Sequence, residues 1–200
     1  MIDVDDTLIF VDGENLSMRY QEMIKAGRTP APDNLVIENC FVWNNRILQD
    51  HQWKIKRLSY YTSVIGDDDK VNEVRQQISS TVFTCFRGMG ASKMPQTGQL
   101  VPFVSKKSSR SRKESVCDIA IAVDVMRACY RDHADTVWLF SGDGDFIQLF
   151  QEVLHSGKKA YASALSSGLN SEIPFVVDEF LLLDKYLFVD ESADANAASN

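Results

Sequence analysis

The order of strand-like and helix-like stretches predicts an α/β fold, a doubly wound parallel sheet joined by right-handed crossovers. Three observations carry that expectation. Strand and helix patterns alternate from Thr7 to Leu187. Two apolar runs, Leu8-Ile-Phe-Val11 before Asp12 and Val137-Trp-Leu-Phe140 before Ser141-Gly-Asp143, break at once into small and acidic residues. In a parallel sheet such ends lie side by side, at the carboxyl edge where open α/β folds place their sites. The 200 residues are 44% hydrophobic, enough for one domain with a substantial core over residues 1–189.

Taken in order, Thr7 to Val11 is apolar and β-prone, and Asp12-Gly13 ends it. Asp12 or Asn15 can cap the helix that follows, whose Leu16, Met18, Tyr20, Met23 and Ile24 run to Gly27. After Arg28-Thr-Pro-Ala-Pro32, Asp33 caps a second expected amphipathic helix through Leu35, Val36, Cys40, Val42, Trp43 and Ile47. Trp53 to Ser63 alternates and is rich in aromatic and β-branched residues, as a second strand should be. Gly66-Asp-Asp-Asp-Lys70 opens a helix towards Ser80, and Val82 to Arg87 reads as a third strand.

From Gly88 to Arg112 periodicity is lost among Gly88, Gly90, Pro95, Gly98 and Pro102, so an irregular, functional segment is expected there. Glu114 to Arg131 is the most strongly helical stretch. Thr136 to Phe140, Phe146 to His155 and Lys159 to Ala164 read as strand, helix and strand. Leu169 to Phe188 adds a last helix, with a short strand through Phe180 to Leu183. From Asp190 to Asn200 the chain is small and polar, and a disordered tail is expected.

Charge narrows the function classes. The net charge is -7 and the pI about 5.0, which argues against a simple basic nucleic-acid-binding module and makes any phosphate contact local or metal-mediated. Cys40, Cys85, Cys117 and Cys129 have no zinc spacing and read as reduced core thiols. The start of the chain carries Asp3, Asp5 and Asp6 in place of a basic and then apolar leader. No apolar run approaches the roughly 18 residues of a membrane span. A cytoplasmic protein with no membrane contact is expected, and the sequence is compatible with a homodimer.

Asp12, Asp143 and Asp145 come from two strand ends. The long helix supplies more acids near its amino terminus, where Glu114 and Asp118 are four apart and share a face. Asp124 lies about 240° further round the helix and points elsewhere. Carboxylates converging on one sheet edge repel one another unless a positive charge sits between them. Oxygen-only ligands suit Mg²⁺ or Mn²⁺, hard ions that also bind substrate phosphate. The chemistry such a site implies is phosphodiester hydrolysis by an activated water.

Four stretches together resemble the NYN domain of the PIN-like nuclease superfamily, close to its LabA-like branch. They are Val11-Asp-Gly-Glu-Asn-Leu16, Lys113-Glu-Ser-Val-Cys-Asp-Ile-Ala-Ile-Ala-Val-Asp124, Leu139-Phe-Ser-Gly-Asp-Gly-Asp-Phe146 and Gly157-Lys-Lys159. The resemblance implies a Rossmann-like PIN fold, three-layered with a central parallel sheet of about five strands, and a metal-dependent ribonuclease acting on RNA. By position it makes Asp12, Asp118, Asp143 and Asp145 the catalytic metal site, with Asn15 and Ser141 orienting a carboxylate or a phosphate. Where the family usually reads Lys-Gly-Val-Asp, this chain has Ser115-Val-Cys-Asp118, which keeps the acid.

Blander readings exist for several of these residues. Asp12 could serve only as a helix cap, and Asp143 and Asp145 as cap and first-turn acid. Glu114 and Asp124 could be supporting or purely structural acids. The basic run containing Lys106, Lys107, Arg110, Arg112 and Lys113 could be a solvated loop or a grip on RNA phosphates. Tyr60, Tyr61 and the aromatics of the third strand read as core. Asp3-Val-Asp-Asp-Thr-Leu8 matches the nucleophile signature of haloacid-dehalogenase-type phosphatases, but the strand needed to present it follows the motif. A non-catalytic NYN-type module that binds RNA or protein is the remaining alternative.

Overall fold

A computed structural model describes residues 5–49, 54–87, 94–107 and 116–189. The elements are β1 (Asp6–Asp12), α1 (Gly13–Lys25), β2 (Leu35–Ile37), β3 (Phe41–Trp43), β4 (Lys54–Ile65) and α2 (Asp68–Ser80), followed by β5 (Val82–Arg87) and β6 (Met94–Lys107). Then come α3 (Val116–Tyr130), β7 (Thr136–Phe140), α4 (Ile147–His155), β8 (Lys159–Ala164), α5 (Ile173–Val176), β9 (Glu179–Leu182) and α6 (Asp184–Leu187). Seven strands form one sheet in the order β5-β6-β4-β1-β7-β8-β9. All neighbours in it are parallel except β5, which lies antiparallel on β6.

The alternation in β1 divides the core. Ile9 and Val11 belong to a cluster with Leu16, Tyr20 and Met23 of α1, Val74 and Ile78 of α2, and Trp43. Leu8 and Phe10 belong to a second cluster with Ile121 and Val125 of α3 and with Phe150 and Val153 of α4. The sheet is therefore the middle of three layers. Trp43 is fully buried and stacks on Phe140 at 6.2 Å between ring centroids; removing a side chain of this size from water contributes about 1.5–3 kcal/mol.

The chain runs outward from β1 through β4 to β6, and α3 then carries it back across to β7 on the other side of β1. The strand order reverses between β1 and β7, and at such a switch point the carboxyl ends of two adjacent strands open a crevice. Asp12 and Ser141 stand on its two sides.

Four sequence expectations change here. The second amphipathic helix is a hairpin: β2 and β3 pair antiparallel, Leu35 with Trp43 and Ile37 with Phe41. Asn39 turns the chain at φ 63°, a left-handed conformation that asparagine tolerates, and β-branched and aromatic residues flank it. The segment from Gly88 to Arg112 is not irregular throughout, because Met94 to Lys107 is the longest strand of the sheet. Its first half pairs antiparallel with β5 and its second half parallel with β4. Gly98 is required there, since a Cβ would sit 2.5 Å from the ring of Phe83 on β5. The sheet accordingly has seven strands instead of about five. The expected last helix is two four-residue helices, α5 and α6, on either side of β9.

All four cysteines are free and buried, and Tyr60 and Tyr61 are core residues. Among the described residues no helix is long and apolar enough to cross a membrane. The expected tail from Asp190 lies outside the described residues.

Candidate functional site

Asp12 ends β1 and caps α1. One side-chain oxygen accepts the backbone N–H of Asn15 at 3.1 Å, and the other accepts the hydroxyl of Ser141 at 2.9 Å. Ser141, just past the end of β7, also accepts the backbone N–H of Asp143 at 3.2 Å, while Gly142 N–H donates to the side-chain oxygen of Asn15 at 3.4 Å. Asn15 and Ser141 thus join the two strand ends and hold the Asp12 carboxyl in one orientation. Asp143 accepts the N–H of Asp145 at 3.0 Å, capping a short 3₁₀ turn over Gly144–Phe146 that leads into α4. Gly13 lets α1 start this close to the sheet. A Cβ there would meet the Tyr60 ring at 2.2 Å and the Tyr61 carbonyl oxygen at 2.7 Å.

Asp12 is only 3% exposed. Burial pushes its carboxyl up to about 7, against the hydrogen bonds from Asn15 and Ser141, and the negative charges of Asp118 and Glu14 push the same way. Asp118 comes from the first turn of α3, beside the buried Cys117, whose thiol is pushed up to about 12 by burial and then by the charge of Glu14. That thiol is too weakly acidic to serve as a nucleophile at neutral pH.

A cavity of about 500 Å³ opens at this edge. Asp12, Asp118, Asp143 and Asn15 line it, together with Glu14, Met18 and Gln21 of α1, the hairpin loop Glu38–Cys40, Ser63–Ile65 at the end of β4, Lys70, and Lys107 at the end of β6. Glu14 accepts the Ser63 hydroxyl and pairs with Lys107 at 3.6 Å. Strand ends, the amino ends of α1 and α3, and the hairpin therefore contribute to one concave surface that is acidic at its base and carries two lysines.

The structure brings Asp12, Asp118, Asp143, Asn15 and Lys107 to this cavity, and Ser141 lies directly behind Asp12. Asp145 is exposed on the 3₁₀ turn and does not line the cavity. Lys106 is outside it too, paired with Asp68 at 2.8 Å. Asp124 accepts the Tyr61 hydroxyl at 2.8 Å and pairs with Arg127, which ties α3 to β4 and does not serve the cavity. Glu114, Arg110, Arg112 and Lys113 lie outside the described residues, as does Asp3.

Asp5 and Asp6 sit at the opposite end of β1 from the cavity, about 20 Å along the strand. They pair there with Lys159 and with Lys54 and Lys56. The described residues of the dehalogenase-like motif are thus separated from the acid cluster and do not line its cavity.

Sequence reasoning passed over Glu14, although it lies within the quoted Val11 to Leu16 stretch two residues after Asp12. Lys70 and the hairpin wall had no comparable signal. Among the described residues no three His, Cys, Asp or Glu side chains are close enough to hold a metal ion by themselves. The donors around the cavity base are oxygens, which suit a hard cation held by carboxylates directly or through water that completes its shell.

The family model for the NYN domain matches residues 6–184. Among solved structures, the crystal structure of a protein of unknown function from Vibrio parahaemolyticus is similar in fold. It has a TM-score of 0.61 at 16% identity, over 94% of this chain and 99% of that one. Comparison with curated proteins gives no significant match.

Proposed function

The chain belongs to the NYN domain family of the PIN-like nuclease superfamily, and we propose that it is a metal-dependent ribonuclease hydrolysing phosphodiester bonds of RNA. Asp12, Asp118 and Asp143 would hold a Mg²⁺ or Mn²⁺ ion, with Asp145 a further acid two residues beyond Asp143. The observation that carries this reading is Asp12, a carboxyl 3% exposed, bonded through both oxygens and held up to about 7 by burial among other acids. A cation is the partner that would offset that cost. The carboxylate oxygens lining one cavity suit an ion that keeps waters and takes further ligands from a substrate phosphate. Such an ion, when bound, makes water a better nucleophile at neutral pH and offsets charge on the leaving oxygen.

The chain's own residues bind and orient. Ser141 and the Asn15 N–H fix Asp12 so that its carboxylate need not reorganise. Lys107, now paired with Glu14, would exchange that partner for a substrate phosphate, and Lys70, now paired with Glu73 at 2.8 Å, would do the same from elsewhere in the cavity lining. The cavity is of the size that takes one small ligand such as a nucleotide. Four buried free thiols fit a reducing cytoplasmic setting.

The reading is tested by incubating single-stranded and structured RNA with the protein in Mg²⁺ or Mn²⁺. Cleavage is expected, with loss in Asp143→Asn and in EDTA; cleavage that survives either change overturns it. That no three acids among the described residues stand close enough to hold an ion by themselves favours a second reading, a module that binds RNA or protein without cutting. That reading expects RNA retention on a filter with no cleavage under either metal.

A further inference from the structure

The helix α3 carries an apolar stripe that the fold leaves in water. Its Cys117, Ile121, Val125 and Ala128 are buried against the sheet. On the opposite side Val116, Ile119, Val123 and Tyr130 are 45%, 63%, 48% and 78% exposed. With the partly buried Met126 they recur at alternating intervals of three and four residues. That is the a and d spacing by which one helix sets its knobs into the holes of another. A surface helix of a globular protein ordinarily turns charged and polar residues outward instead. The small residues Ala120 and Ala122 flank the stripe and let a second helix approach closely.

We propose that α3 is a self-association surface on which two copies of this chain pair their α3 helices antiparallel about a two-fold axis. The stripe's own pattern favours a second copy as the occupant. With the axis between Asp124 and Val125, Ile119 faces Tyr130 of the second copy and Val123 faces Met126 of the second copy, and symmetry repeats both layers. Each layer sets a longer side chain against a shorter one. Arg127 pairs with Asp124 beside the stripe and stays at the wet rim.

The exposed fractions put on the order of 400 Å² of mostly apolar surface in one stripe, within the roughly 300–600 Å² of a monomer's largest and often functional patch. Two stripes with their flanks approach the roughly 1,000 Å² a specific interface needs. A net charge of -7 argues against an anionic lipid surface as the occupant.

Sedimentation equilibrium of the full chain over a wide concentration range tests this. The mass should rise with concentration to twice that of the chain. Replacing Ile119 and Val123 together by lysine should weaken association at least ~100-fold with an unchanged far-UV circular dichroism spectrum, since both side chains face water. A second variant, Ile119→Cys with Tyr130→Cys, should give a disulfide-linked dimer on a non-reducing gel after mild oxidation. The buried native cysteines should give none in the parent chain. A parent chain that stays monomeric at every concentration overturns the proposal and leaves the stripe to a different protein. A dimer that survives the lysine pair, or a double-cysteine variant that fails to cross-link, overturns it as well.

Discussion

Replacing Asp12 by asparagine should stabilise the protein at neutral pH while abolishing its capacity to hold a cation. Asp12 is 3% exposed, and its carboxyl is raised from an ordinary 3.8 to about 7. Below pH 3.8 the group is neutral both folded and unfolded and has no effect. Between that pH and about 7 the unfolded chain has released the proton while the folded chain keeps it, so stability falls as pH rises. Above the folded value the full penalty, about 4 kcal/mol, is in force.

Asparagine carries no charge and keeps the oxygen that accepts the Asn15 N–H. Its amide nitrogen can donate to Ser141, whose hydroxyl hydrogen then loses its acceptor at a cost of about 1 kcal/mol. The net expectation is a gain of about 3 kcal/mol at pH 8, or roughly 6–12 °C in Tm for a chain of this size, shrinking to nothing or slightly below near pH 4. Urea unfolding of both proteins at pH 5 and pH 8 without divalent metal measures it. An asparagine variant less stable than the parent at pH 8, or a difference between the two that is the same at both pH values, would refute the reasoning. Adding Mg²⁺ at pH 8 should then stabilise the parent but not the variant.

Three further expectations rest on the same geometry. Gly13→Ala forces a methyl into the Tyr60 ring and the Tyr61 carbonyl and should cost about 1–3 kcal/mol, read as a lower urea midpoint. Ser141→Ala removes a hydrogen bond that favours the ionised Asp12, so the acidic limb of the cleavage pH profile should move to higher pH; a profile that stays in place would separate Ser141 from the Asp12 equilibrium. Lys107→Ala should weaken RNA binding across sequences and reduce the slope of log K against log salt by about 0.7. Lys106→Ala, paired with Asp68 outside the cavity, should leave that slope nearly unchanged.

The parts of this fold legible in the sequence are those where one local signal dominates. β1 and β7 are continuous apolar runs that stop at small and acidic residues, and the parallel arrangement that makes those stops neighbours follows from strand-helix alternation. Asp12 and Asp143 were readable for that reason, and Asp118 from its place near the amino end of the long helix.

The hairpin was not, because Leu35, Val36, Cys40, Val42, Trp43 and Ile47 satisfy helical spacing and Asp33 offers a cap. The preference of Val36, Phe41, Val42 and Trp43 for a pleated, half-buried surface decides the matter, together with the turn at Asn39. Pro95 and Pro102 hid β6 by the usual reading of proline as a breaker, yet each is accommodated in a strand that changes from antiparallel to parallel pairing along its length. The cavity wall formed by Glu38–Cys40 could not be read while the hairpin was taken for a helix. Lys70 could not be assigned before α2 was placed against β6. Asp124 shows the converse case, an acid of the long helix that is spent on Tyr61 and Arg127.

The central claim is that Asp12, Asp118 and Asp143 share one divalent cation. Crystals soaked in Mn²⁺ and measured at the manganese absorption edge address it most directly. An anomalous peak between these three carboxyl groups, lost in Asp143→Asn, is the predicted result; a map with no peak in the cavity, or with manganese bound at a different group of residues, would contradict the account.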